Sequence, residues 1–428
     1  MYLQHVIDRD PQLLATAIDL HQRGRIPPNT WVVDLDTVVD NARALASEAN
    51  RLGLQTYLMA KQHNRNPYIS GLGLAAGLGK LVAVDATGAL MARRYALPLG
   101  NVGHLNQIPR HLLPAVTRMR PEVFTVYNIE HARWVNHAAA DLDTVQDLLI
   151  RVSCDDDVFF EGQEGGFREA EVPRVVGLLR ELKHVRLVGV TSFPCLRYNE
   201  REGEPVTVTE NMKTITRVAA QLTDLGVQVE QINAPGNTSC AVMALLKRHG
   251  ATHVEPGNAL LGTVPSNAFR SDVVERTAFV YVSEVSHWFD GRAYAYGGGV
   301  FHSAYSDRIE ALVGSSWGQA RDNRVEYLHH VKQCIDYHMQ LQPTTGQRCE
   351  VGDSVVLAYR TQMQMTRSYV APVSGISGRR PLKLHRLFDH ANTALDESFS
   401  PVGPDVVRRE LAASIEAFGL SPGTLRRS

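Results

Sequence analysis

The chain has 428 residues, with 44 lysines and arginines against 45 aspartates and glutamates, a formal net charge of −1 and 44% hydrophobic residues. That balance, with no basic stripe, argues against a nucleic-acid partner, and no uninterrupted apolar run is long enough to cross a bilayer. The length exceeds one small core and fits a barrel of about 250 residues plus a second domain. The five cysteines, Cys154, Cys195, Cys240, Cys334 and Cys349, are odd in number and form no CxxC pair. They read as reduced thiols, and the opening MYLQHVIDRDPQLL lacks the charged start and apolar core of a signal peptide, so a cytoplasmic protein is expected.

Taken in chain order, residues 11–24 carry Leu13, Leu14, Ala17, Ile18 and Leu20 at helical spacing before a glycine, which predicts a helix. Trp31-Val32-Val33-Asp34-Leu35-Asp36 follows as a strand, and residues 38–52 as an amphipathic helix ended by Gly53. Strands and helices then alternate. Apolar or β-branched runs occur at TYLMAK, LVAVDA, NVGHLN, VFTVYN, LLIRVSC, VRLVGVTS, VEQINAPG and THVEPGN, with helical stretches such as 172–182 and 210–225 between them. Eight such strands with short connections predict an α/β fold, a (β/α)8 TIM-like barrel. No GxGxxG opens a helix after the first strand, so a dinucleotide-binding open sheet lacks its fingerprint. Beyond about residue 268 short strands are expected at 279–286, 293–296, 354–357 and 369–373, with a helical interruption at 325–340 and a C-terminal helix at 405–418. The expected organisation is an N-terminal helical segment (1–26), the barrel (27–267), a β-rich second domain (268–396) and a tail (397–428).

Barrel active sites lie at the C-terminal strand ends. Those ends present Lys61, Asp85, His104 with Asn106, Tyr127 with Asn128, Cys154 with Asp155, Thr191 with Ser192, Asn233 through Ser239 and Glu255 through Asn258. Lys61 closes the apolar run Tyr57-Leu58-Met59-Ala60. By itself it reads most simply as a solvated lysine; at a barrel mouth, a dry flank would disfavour the ammonium and ease reaction with an aldehyde. Ala234-Pro235-Gly236-Asn237-Thr238-Ser239-Cys240 leads into a helix. It suits a phosphate at a helix N-terminus, or else is a turn with Asn237 or Thr238 as cap. Glu255-Pro256-Gly257 places a carboxylate after an apolar strand, where it would keep a pyridine nitrogen protonated. One lysine, one glutamate and one small polar loop together describe a pocket for pyridoxal phosphate. The candidate cofactor set is Lys61, His104, Ser192, Asn233, Gly236, Asn237, Thr238, Ser239, Glu255, Gly257 and Asn258, with no metal.

These residues, with Phe193-Pro194-Cys195, APGNTSC, EPGNAL, Tyr296-Gly297-Gly298-Gly299 and Arg360-Thr361-Gln362, resemble the alanine-racemase-like, fold-type III pyridoxal phosphate enzymes, and within them the YhfX proteins. The resemblance runs from about residue 11 to 396. It implies a Schiff base at Lys61, a β-rich second domain that the strand at Trp31 joins, and a head-to-tail homodimer with shared sites. It also implies that Tyr296, from the partner chain, is a second base opposite Lys61. The chain departs from alanine racemases in three places: Glu255 stands where they have an arginine, Thr191-Ser192-Phe193 replaces a THF histidine, and Glu164-Gly165-Gly166-Phe167 replaces RLGF. Alanine as substrate is therefore not implied. An amino acid or close analogue is the expected substrate and racemisation the leading reaction; a decarboxylase or lyase, or a non-catalytic cofactor carrier, are the alternatives.

Other residues have two readings each. Arg360 and Arg367 would suit a substrate carboxylate or a surface ion pair. His63 would serve as a local acid or lie in a solvent-facing loop, and His104 would approach the cofactor ring or be a satisfied buried histidine. Asp155-Asp156-Asp157 reads as a solvated loop, since consecutive carboxylates diverge on an extended chain. Cys195 and Cys240 read as packed thiols, and Met363 and Met365, at alternate positions, as core.

Overall fold

The computed structural model of the protein describes residues 2–198, 206–270, 272–301, 309–328 and 335–421; Cys334 lies outside them. The chain divides into two compact units, one of Met1–Asn41, Gln62–Ile69 and Leu260–Val407, the other of Ala42–Lys61, Ser70–Ala259 and Arg408–Ser428.

The second unit holds the barrel. Its strands are β1 (Gln55–Met59), β2 (Lys80–Ala83), β3 (Leu99–Val102), β4 (Val123–Val126), β5 (Gln146–Ser153), β6 (Val185–Thr191), β7 (Gln231–Asn233) and β8 (His253–Val254). Each pairs in parallel with its sequence neighbours, and β8 pairs with β1 to close the ring. All eight are the strands that the apolar runs predict. Helices follow most of them, including Ala86–Arg94, Ile129–Ala140, Val172–Arg180, Glu210–Asp224 and Cys240–Arg248. Two polar residues at strand ends turn out to start helices: Asp85 accepts from Gly88 N (2.7 Å) and Asn128 from His131 N (2.8 Å), which meets backbone donors that the first turn leaves open. The C-terminal helix Pro404–Ala417 forms as expected. Leu411 on it packs so tightly over the helix Pro67–Ala75 that a Cβ at Gly71 would sit 2.7 Å from its side chain.

The first unit is built mainly on antiparallel pairing, with Thr30–Asp34 and Tyr369–Ser374 running parallel. Strands Phe279–Phe289, Arg292–Tyr296, His338–Gln342, Arg324–Leu328, Ile309–Gly314 and Ser354–Leu357 pair in a closed circuit. Thr30–Asp34 pairs with Phe279–Phe289 on one side and Tyr369–Ser374 on the other, so Trp31 packs against Phe279, Tyr281 and Tyr359. The helix Pro11–Gln22 opens with Asp10 capping Leu13 N (3.3 Å) and buries Leu13, Leu14, Ala17 and Ile18 against Val280, Val282 and Val356. A further helix, Tyr2–Arg9, precedes it.

Three expectations are corrected here. The stretch 325–340 is not a helix where it is described: RVEYL and HMQLQ bury alternate residues, a period of two that makes strands. Met363–Met365 is a 3-10 turn that buries Met363 and exposes Met365, so the two do not share a core face. His63 is not solvent-facing but fully buried, and its pKa is pushed down to about 3 by burial and then by the charge of Arg65. Among the described residues no helix is long and apolar enough to cross a membrane.

Candidate active site

β1 is apolar and buried from Tyr57 to Met59, and Ala60 is buried beyond it. The backbone then turns at once into the 3-10 segment Lys61–His63. Met59 N donates to Pro256 O (2.9 Å), which ties the lysine's strand to the loop after β8. That loop begins with Glu255, whose side chain is 1% exposed. Its Oε1 accepts from Asn233 Nδ2 (2.7 Å) and Asn101 Nδ2 (3.2 Å), and Asn101 is itself held by Thr125 Oγ1 (2.8 Å). Burial pushes the Glu255 carboxyl up to about 7, against the hydrogen bonds of the two asparagines and the charge of Lys61.

His104 lies after β3, fully buried, with Nε2 3.9 Å from Glu255 Oε2. Burial, then the charges of Arg151 and Lys61, hold the imidazole well below its ordinary range, so it is neutral. Lys61 thus acts electrostatically on both Glu255 and His104. Beneath this group lies Arg151, fully buried on β5, its guanidinium 4.8 Å from the Tyr127 ring centroid. Arg151 Nη1 donates to Tyr127 Oη (2.5 Å) and Nη2 to Gln163 O (2.6 Å), while Tyr127 Oη donates to His104 O.

The loop Ala234–Ser239 approaches its neighbours closely. Gly236 has φ +130°, and a Cβ there would meet Cys195 N, Leu196 N and Leu196 O at 3.3 Å; Asn237 is left-handed at φ 46°. Ser239, not Asn237 or Thr238, is the N-cap of helix Cys240–Arg248, and its side chain makes no capping hydrogen bond. Ser192 Oγ accepts from Asn211 Nδ2 (3.2 Å). Cys195 is fully buried, and burial drives its thiol pKa well above the ordinary value, so it is a packed thiol.

Several buried side-chain atoms of this end have no hydrogen-bond partner among the described residues: both His104 nitrogens, Glu255 Oε2, Asn233 Oδ1, Thr238 Oγ1 and Asn258 Oδ1. Each such atom costs roughly 1–3 kcal/mol, and one polar ligand would satisfy the set. Donors near a helix start and a carboxyl deep in the barrel suit a molecule with an anion at one end and a basic nitrogen at the other. Lys61, His104, Asn233, Thr238, Glu255 and Asn258 therefore belong to one unit, as do Ser192, Gly236, Asn237, Ser239 and Gly257.

Tyr296, Arg360 and Arg367 belong to the other unit. Tyr296 ends a strand and is 41% exposed. Arg367 pairs with Asp336 and lies 5.8 Å from the Tyr337 ring centroid, an ion pair rather than an open cation. Asp155 is exposed and meets Arg168 at 3.1 Å, whereas Asp157 turns back to Cys154 N (3.0 Å) and Thr214 Oγ1 (2.8 Å). Sequence reasoning missed Asn101 and Arg151. The signal was there: each is a polar residue inside an apolar strand, LGNV and LLIRVS.

Solved structures share this fold. They include D-threonine aldolase from Filomicrobium marinum (TM-score 0.63, 15% identical, covering 85% of this chain and 95% of that one). Alanine racemase of Clostridium difficile 630 in complex with cycloserine is similar too (TM-score 0.60, 15% identical, 85% and 99%). So is diaminopimelate decarboxylase of M. jannaschii (TM-score 0.61, 12% identical, 93% and 94%). At these identities the likeness defines the fold, that of the alanine-racemase-like fold-type III enzymes. Residues 33–265 match the alanine racemase N-terminal domain and residues 280–382 the YhfX-like C-terminal domain. The protein YhfX of Escherichia coli (strain K12) is 38% identical over 381 residues, 89% of this chain and 96% of that protein. The chain belongs to the alanine racemase N-terminal domain family and carries the YhfX-like C-terminal domain.

Proposed function

We infer that the protein is a pyridoxal phosphate enzyme acting at the α-carbon of an amino acid or close analogue, with racemisation as the leading reaction. The observation that carries this reading is the cluster of buried, unpartnered polar atoms around Glu255, within reach of the Lys61 charge. Lys61 would hold the cofactor aldehyde, Glu255 its ring nitrogen, and the loop Gly236–Ser239 its phosphate. Bound there, the cofactor supplies an electron sink for the pair left at a substrate α-carbon. Glu255 is suited to keep a ring nitrogen protonated, because its hydrogen-bonding asparagines fix one oxygen and leave the other for the ligand. His104 and Asn233 bring further polar atoms to the same place, and Ser192 sits beside that loop through Cys195. Tyr296 of a second chain would work the opposite face from Lys61, in a cytoplasmic homodimer, and Arg360 or Arg367 would hold the substrate carboxylate, Arg367 by exchanging its ion pair with Asp336.

The fold relatives include a racemase, an aldolase and a decarboxylase, so a lyase or decarboxylase is the rival reading. It needs one base rather than two. The test is to purify the wild type and Lys61→Ala, record visible spectra with pyridoxal phosphate, and follow the α-proton of L- and D-amino acids in deuterium oxide by NMR. The expected result is a band that Lys61→Ala loses, and one substrate that exchanges its α-proton with loss of optical purity. Exchange without inversion would transfer the reading to a lyase or decarboxylase. A wild type that takes up no cofactor would overturn it.

A further inference from the structure

Three aromatic rings meet at the barrel mouth. His104 follows β3 and Phe193 follows β6, and two strands, β4 and β5, separate them around the wall. Neighbouring strands stand about 4.8 Å apart, so along the wall these residues would be roughly 14 Å from each other. Their rings nevertheless meet edge-on, with centroids 6.0 Å apart and planes at 90°. They therefore reach each other over the mouth rather than along the wall. Phe160, from the loop after β5, adds a third ring, 5.7 Å from that of Phe193 at 45°. The series His104, Phe193, Phe160 runs from a fully buried ring to one that is 48% exposed.

Two fully buried polar side chains hold the loop that presents Phe160. Asn211 Oδ1 accepts from Val158 N and Asn211 Nδ2 donates to Val158 O, both at 3.1 Å, and Arg151 Nη2 donates to Gln163 O (2.6 Å). Successive side chains on an extended chain point to opposite sides. Phe159 accordingly lies over Arg151, its ring centroid 5.8 Å from the guanidinium, while Phe160 faces out. The loop closes on the barrel because residues 165 and 166 are glycines, with φ +134° and +115°. A Cβ at Gly165 would lie 3.0 Å from the Tyr127 ring, and one at Gly166 would lie 2.6 Å from Arg151 O. The Gly165-Gly166 pair of the EGGF run is what lets this segment settle at the mouth.

A single exposed phenylalanine is ordinary on a protein surface. This one is the outer end of a ring series whose inner end, His104, has both nitrogens unpartnered among the described residues. A ligand that engages His104 and extends toward solvent meets Phe193 and then Phe160. The carboxylates of the loop stay outside this wall. Asp155 pairs with Arg168 at 3.1 Å, Asp157 accepts from Cys154 N and Thr214 Oγ1, and Asp156, Glu161 and Glu164 are exposed. Solvated carboxylates around an apolar wall disfavour an acidic side chain, and they offer a cationic one no buried partner at the wall.

We propose that Phe160 and Phe193 receive the side chain of the substrate, and that the substrate is an amino acid or close analogue whose side chain is apolar. The proposal rests on the pyridoxal phosphate reading of the site. An apolar chain laid against the two rings leaves water together with the exposed edge of Phe160, and an aromatic one gains ring contacts as well. An alanine methyl is too short to do either.

The test uses the full-length protein loaded with pyridoxal phosphate. Dissociation constants are read from the cofactor absorbance for alanine, leucine, phenylalanine, lysine and glutamate, in L and D forms. Leucine or phenylalanine is expected to bind about tenfold or more tighter than alanine. Phe160→Ala should bring those constants close to that of alanine, and Phe160→Leu, which keeps an apolar side chain, should restore most of the difference. A second measurement reads contact without chemistry. In protein labelled with para-fluorophenylalanine, the fluorine signal that Phe160→Ala loses should shift on adding leucine or phenylalanine and hold still on adding alanine. An apolar preference that survives Phe160→Ala, lysine or glutamate as the tightest ligand, or a fluorine signal indifferent to every amino acid would overturn the proposal. A protein that takes up cofactor yet binds them all alike sinks this proposal and leaves the pyridoxal phosphate reading standing. One that takes up no cofactor sinks that reading, and this proposal with it.

Discussion

The two ends of the barrel use the same kinds of residue to opposite effect. At the N-terminal end Tyr57 Oη donates to Glu122 Oε1 (2.8 Å), Gln231 Nε2 donates to Tyr57 Oη (3.0 Å), and Lys80 Nζ meets Glu122 Oε2 at 2.6 Å. Burial alone would raise the Glu122 pKa, but Lys80 and the Tyr57 hydrogen bond outweigh it and hold the carboxyl below its ordinary range. At the C-terminal end Glu255 has two asparagine partners on one oxygen and none on the other, and burial wins. One carboxylate is saturated and ionised, and the other is held half-finished. The floor closes its hydrogen bonds within the protein and the mouth leaves some open, where we propose the cofactor binds, in keeping with where barrels place their sites.

Glu255→Gln is the sharpest break of that contrast. A carboxyl whose folded pKa is raised to about 7 binds its proton more tightly folded than unfolded. Its stabilisation is whole below the unfolded value near pH 4.5 and is lost as pH rises through 7. For cofactor-free protein this amounts to about 3 kcal/mol across the window. The substitution should remove that share of the pH dependence in urea unfolding, leave cofactor binding mostly intact and lower turnover by roughly 10²–10⁴-fold. An unchanged rate would mean that Glu255 is not the ring-nitrogen partner.

Tyr57→Phe should act at the other end only. It leaves Glu122 and Gln231 each short of a hydrogen bond and should cost about 1–3 kcal/mol in chemical denaturation, with the visible cofactor band unaltered. If the band changed in step with stability, the separation of the two ends would fail. The smallest effect belongs to Asp85, which sits at a strand end yet caps a helix. Asp85→Ala should cost about 1 kcal/mol without a change in kcat; a drop in kcat would return it to the site.

Those variants also divide what could be read from residues alone. Asp85, Asn128 and Glu255 look alike in the sequence, each a polar residue after an apolar run. Only the fold shows that the first two spend their side chains on the next helix while the third is buried facing inward. His63 and His104 likewise read as ambiguous loop histidines, and burial, which depends on what packs over the loop from distant segments, decided both. The stretch 325–340 went wrong because its described ends carry a short-range alternation of two.

By itself the sequence determined the eight barrel strands, since each is a local apolar run bounded by turn residues, and the motif run from FPC to RTQ was enough to point to the family. It also brought Lys61, Glu255 and the Gly236 loop into view, because barrel topology sends every strand end to one face. The tertiary structure alone decided which polar atoms lack partners, that Asn101 and Arg151 support the site from inside the barrel, and that Phe193 meets His104 over the barrel mouth. These are facts of pairing between residues far apart in the chain, and no local pattern encodes them.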